Sequence, residues 1–111
     1  MPKPHESEKG VLDACLQLLS MKGIFHYRNN TGALYDRNNR LIRFGAVGSP
    51  DIVAIICGQY VGIECKSTIG KQSDNQRLFQ IGVEKAGGVY IIVRSVEDLL
   101  QALKQLYVVK R

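Results

Sequence analysis

The chain has no tryptophan, only three prolines and only two histidines in 111 residues. It has no apolar run near the roughly 20 residues that cross a bilayer, which excludes a membrane-spanning helix. His5 and His26 stand far apart, so no histidine cluster for a metal exists, and each is read as an ordinary hydrogen-bonded side chain. The three cysteines, Cys15, Cys57 and Cys65, are odd in number and lack metal-ligand spacing. Each lies within an apolar pattern, which predicts buried free thiols in a reducing compartment. The opening MPKPHESEKG has no apolar core of a signal peptide, and a cytoplasmic protein is expected. Internal repeats and low-complexity tracts are absent. Acids are the scarcer charge, ten against fifteen Lys and Arg, and the net charge of +5 favours a polyanionic partner.

What is present fits one folded domain over 1–111, with 1–5 as a loose arm carrying Pro2 and Pro4. Ser7 is placed to cap a helix. Val11, Leu12, Cys15, Leu18 and Leu19 follow with amphipathic spacing up to Lys22-Gly23. IFHYR (24–28) reads as a strand, and RLIRF (40–44) as another inside a polar, glycine-punctuated stretch. DIVAII (51–56) and YVGIECK (60–66) read as a hairpin around Gly58-Gln59. Ser73 caps a helix to about Ala86, VYIIV (89–93) reads as a buried central strand, and Ser95 caps a last helix. The order, roughly α-β-β-β-β-α-β-α, predicts an α/β fold with a mixed sheet flanked by helices.

The hairpin raises the chemical question. A type II′ turn at Gly58-Gln59 places Asp51 opposite Lys66 and Val53 opposite Glu64. Side chains alternate, so Asp51, Glu64 and Lys66 share one face, while Ile52, Ala54, Ile56, Val61, Ile63 and Cys65 fill the other. Two converging carboxylates repel, and a hard divalent cation such as Mg2+ relieves the repulsion. With a lysine beside them they are the parts for metal-assisted phosphodiester hydrolysis. A plain Asp–Lys cross-strand pair, worth about 0.2–1 kcal/mol, is the structural alternative.

GSPDIV, then IECKS, SDNQRLFQ and AGGVYIIVRSVEDL, with YRNNTGA upstream, resemble the VRR-NUC domain (virus-type replication-repair nuclease) of the PD-(D/E)xK superfamily, over nearly the whole chain. The resemblance implies a restriction-endonuclease-like fold and a Mg2+- or Mn2+-dependent DNA endonuclease. It implies a stand-alone domain of the kind bacteria and phages encode, a homodimer acting on branched DNA such as four-way junctions. It implies that Asp51 and Glu64 bind metal, joined by the backbone carbonyl of Cys65, and that Lys66 is catalytic. It also calls for a glutamate in the first helix. Glu8 continues the inward stripe of that helix and Glu6 does not, so Glu8 is assigned. Gln76 matches a glutamine after the ExK strand, and it is also the last member of a Ser73-x-x-Gln76 capping box; the two roles can coexist. Arg28 and Asn30 of YRNNTGA are assigned to DNA contacts. Arg37, Arg40, Arg43 and Lys71 extend the expected nucleic-acid surface, for which a solvated hairpin and loop is the plain alternative.

Overall fold

A computed structural model describes residues 7–109; His5, Glu6 and the expected 1–5 arm lie outside them. The elements are α1 (Glu8–Met21), β1 (His26–Arg28), β2 (Gly32–Tyr35), β3 (Leu41–Phe44), β4 (Ile52–Ile56), β5 (Gln59–Cys65), α2 (Asp74–Lys85), β6 (Val89–Val93) and α3 (Val96–Val109). The mixed α/β class is as expected, with one strand more than the sequence suggested. β2 pairs only with β3, in a separate two-stranded hairpin. The other four strands form one sheet in the order β1-β4-β5-β6, antiparallel except for the parallel β5–β6 pair.

The sheet separates two environments. Ile52, Ala54, Ile56, Val61, Ile63 and Cys65 point to one side, where they meet Val11, Leu12, Cys15 and Leu19 of α1 and Leu99 and Leu103 of α3 in one buried core. α1 begins where expected, with Ser7 Oγ accepting the Gly10 N–H at 3.0 Å. α2 lies over the opposite face beside β6. Its start is closed by the full capping box, in which Ser73 and Gln76 bond each other's backbone N–H. β6 is an edge strand, contrary to the central placement read from its apolar run. Its apolarity instead reflects cover on both faces, from α2 on one and α3 on the other.

The β4–β5 turn also departs from expectation. Ile56 pairs with Gln59, so the turn residues are Cys57 and Gly58, both left-handed with φ of 51° and 76°. Two positive φ values define a type I′ turn, whose twist suits a hairpin. Cys57 is therefore exposed at a turn rather than buried in a strand. The register moves by two residues. Ile52 pairs with Ile63, and one step further Asp51 comes opposite Glu64 rather than Lys66. A shift of two keeps every side chain on its face, so the core is unchanged while the acids are brought directly together.

The Gly48 segment ties this site to α2. Gly48 adopts φ +81°, and a Cβ there would lie 2.2 Å from the Asn75 carbonyl oxygen. Gly58 has a similar φ of +76° with nothing within 4 Å. Gly58→Ala is expected to cost about 1–2 kcal/mol from backbone strain alone. Gly48→Ala adds a clash with helix backbone, for a total of roughly 3–4 kcal/mol. Urea unfolding of the two variants checks this, and equal losses would mean that the loop is not seated on α2.

Candidate metal and nucleic-acid site

Asp51 stands at the entry to β4, and its approach is held rigidly. The Asn29 side chain donates to Ser49 Oγ at 2.8 Å and to the Pro50 carbonyl at 3.0 Å, while the Asn29 N–H donates to the Asp51 carbonyl at 2.7 Å. Ser49 Oγ in turn donates to the Ala46 carbonyl at 2.7 Å. On the other side, Asp51 Oδ2 accepts the Cys65 N–H at 2.8 Å. The carboxylate thereby joins the start of β4 to the end of β5.

Glu64 is only 3% exposed, yet it has a partner at each oxygen. Gln76 Nε2 donates to Oε1 at 3.0 Å and the Tyr90 hydroxyl donates to Oε2 at 3.1 Å. Its carboxyl also faces that of Asp51, one step beyond the Ile52–Ile63 pair of the hairpin. Two carboxyls set opposite each other repel when both are charged. Burial first, then the Asp51 charge, push the Glu64 carboxyl up to about 8; the Tyr90 hydrogen bond and the Lys66 charge oppose the rise. Tyr90 is itself raised by burial and by facing Glu64.

Lys66 is 8% exposed. Its Nζ lies 3.6 Å from Glu8 Oε1 and 4.0 Å from Glu64 Oε1. Its N–H donates to the Val93 carbonyl at 2.9 Å, which fixes it at the end of the parallel β5–β6 pair. The following loop is gathered by Arg94, whose Nη1 donates to the Ser67 and Gly70 carbonyls, each at 2.6 Å.

Asp51, Glu64, Lys66 and Gln76 thus come together as the sequence reading requires. Glu8, Arg28, Asp51 and Cys65 line one cavity of about 370 Å³ together with Lys9, Leu12 and Asp13. The Cys65 thiol is packed against Cys15 on the core side. Among the described residues no three His, Cys, Asp or Glu side chains meet as a metal-holding group. Glu8 reaches the cavity, but its carboxylate faces Lys66. The donor chemistry still suits a hard cation, because two carboxylates that face each other across the strand pair offer the oxygen donors such an ion prefers.

The basic residues are dispersed. Arg28 is at the cavity wall. Arg43 lines a second cavity of about 290 Å³ at the base of the β2–β3 hairpin, with Thr31, Gly32, Ala33, Val47 and Gly48. Arg37 and Arg40 occupy the exposed hairpin tip, where Asp36 Oδ1 accepts the Arg40 N–H at 2.9 Å. Lys71 is exposed in the loop before α2, and Asn30 is exposed after β1. The bonds that hold the Asp51 approach come from Asn29, the neighbour of the asparagine singled out above. His26 is hydrogen-bonded as expected, with Nδ1 at 2.8 Å from the Ile24 carbonyl.

Sequence reasoning missed Tyr90 and Asn29. Tyr90 sits in a run read as nearly all apolar, and alternation along β6 could have set it apart once the parallel register with β5, Tyr90 beside Gly62, was known. The chain matches no family model, no curated protein and no solved structure.

Proposed function

We propose that this protein is a divalent-metal-dependent DNA endonuclease with a restriction-endonuclease-like fold, selective for branched DNA and active as a homodimer. The observation that carries the reading is the Asp51–Glu64 pair, opposite each other at the open end of the β4–β5 hairpin, with Lys66 Nζ 4.0 Å from Glu64 Oε1. The order of the motifs in the sequence, with its likeness to VRR-NUC nucleases, supports the same reading.

Asp51, Glu64 and the Cys65 carbonyl would hold Mg2+ or Mn2+, with Glu8 on the cavity wall as a further oxygen ligand. Such an ion, when bound, polarises a phosphate oxygen and makes a bound water more acidic. The chain's own groups do the rest. Lys66 presents an ammonium, held by two acids, to the negative charge that builds on a phosphate under attack. Gln76 anchors Glu64 from the first turn of α2 and so fixes the orientation of its carboxylate. Arg28 places a phosphate at the cavity mouth, and the hairpin arginines Arg37, Arg40 and Arg43 follow the backbone further out.

The test is incubation with labelled duplex, flap, four-way and single-stranded DNA, with Mg2+, Mn2+ or chelator. The expected result is cleavage of the branched forms with either ion and none with chelator. No cleavage of any form with either ion would overturn the proposal. A second reading, a basic binding module without catalysis, is favoured by the Glu8–Lys66 pairing, which occupies a carboxylate the metal would need. It predicts salt-sensitive DNA binding indifferent to divalent metal and chelator.

A further inference from the structure

α2 has a second apolar stripe that the described residues leave exposed. Its inward side carries Phe79 and Val83, which line an apolar cavity with Tyr60 of β5. On the outward side Leu78 is 67% exposed and Ile81 is 43% exposed. Asp74 precedes them and Lys85 follows, so the outward positions recur at spacings of four, three and four. That is the spacing used by the seam of a two-helix coiled coil, here with two apolar positions bounded by an acid at one end and a base at the other.

The stripe is complementary to itself. Laid antiparallel across a two-fold axis between Phe79 and Gln80, Asp74 faces the partner's Lys85 and Leu78 faces the partner's Ile81. Arg77 and Glu84 flank the seam on one side, seven residues apart, and in this arrangement each meets the other across the axis. On the opposite flank Asn75 meets the partner's Gly82, and the space around Gly82 is open, with nothing within 4 Å of a Cβ position. A parallel pair would instead set Asp74 against Asp74 and Lys85 against Lys85.

We infer that the exposed face of α2 is the surface on which two copies of this chain meet, antiparallel about a two-fold axis. The two apolar positions are its centre and the four charges are its rim. A different partner would have no reason to match this order of charges end for end. A contact built on so short a helix is small, and its dissociation constant belongs in the micromolar range, about 1–100 µM. Each α2 N-terminus carries Gln76 against Glu64. The antiparallel pair therefore sets the two candidate sites at opposite ends of the interface.

Sedimentation of the whole chain up to roughly 200 µM tests this without reference to cleavage. The wild type is expected to dimerise, and Leu78→Asp to weaken the dimer by at least about tenfold with an unchanged circular dichroism spectrum. Asp74→Lys is expected to weaken it, and Asp74→Lys with Lys85→Asp to restore it. Each charge change opposes the helix dipole, so recovery in the double variant reports pairing across the axis and not a better helix. A monomeric wild type at the highest concentration, a dimer unaffected by Leu78→Asp, or a double variant no better than Asp74→Lys would each overturn the inference. Cleavage of DNA by a strictly monomeric protein would leave the nuclease proposal standing without this surface.

Discussion

Lys66→Ala is expected to lower the proposed Mg2+-dependent cleavage of DNA by about 10²–10³-fold, the range for removing one preorganised charge that faces a developing anion. The residue is nearly buried and its ammonium lies between Glu8 and Glu64. Its loss removes the ammonium that lies 4.0 Å from Glu64 and opposes the rise of its carboxyl. The lysine stem also packs at the strand end, so some loss of stability accompanies the change. Initial rates on the best DNA substrate, with unfolding curves for both proteins, separate the two effects. A folded variant that retains activity within about twofold of wild type would remove Lys66 from the chemistry.

The second large effect concerns Glu64 and pH. Its carboxyl is raised to about 8 from an ordinary 4.5, so between those values the folded chain keeps a proton that the unfolded chain gives up. Stability without divalent metal therefore falls as pH rises from about 4.5 to about 8, and levels off above. The loss attributable to this group is roughly 3–5 kcal/mol. Glu64→Gln keeps the hydrogen-bonding shape without the titration, and its stability is expected to lack this fall. Mg2+ competes with the same proton, so stabilisation of the wild type by Mg2+ grows with pH up to about 8 and is weak in the glutamine variant. Urea midpoints of both proteins from pH 5 to pH 9, with and without Mg2+, give the comparison. Identical pH profiles for the two proteins would show that Glu64 does not hold the proton.

The parts of this arrangement that sequence makes legible are those set by local chemistry. The Val11-Leu12-Cys15-Leu19 stripe marks α1 and its buried side, and Ser73 with Gln76 marks the start of α2. The alternation of β4 and β5 places Asp51 and Glu64 on one side. Register is another matter. Moving a hairpin by two residues preserves alternation, so only the turn distinguishes Asp51 opposite Lys66 from Asp51 opposite Glu64. The turn adopted puts Cys57 in the left-handed region, which costs such a residue about 1–2 kcal/mol and is not signalled by its type. β2 was invisible for a different reason. Gly32–Tyr35 is exposed along its whole length, so burial imposes no pattern on it. Tyr90 and Asn29 act on residues 26 and about 20 positions away, and contacts of that reach leave no mark in local sequence.

The hydrogen bond from the Cys65 N–H to Asp51 gives one carboxylate two occupations. Under the nuclease proposal, a descendant of this chain that gave up catalysis would be under less pressure to keep Lys66, whose ammonium lies 4.0 Å from Glu64. It would still be under pressure to retain Asp51, because that side chain also fastens two strands. Across diverging copies, the same proposal expects the aspartate to persist after the lysine has gone, because the strand tie does not depend on cleavage.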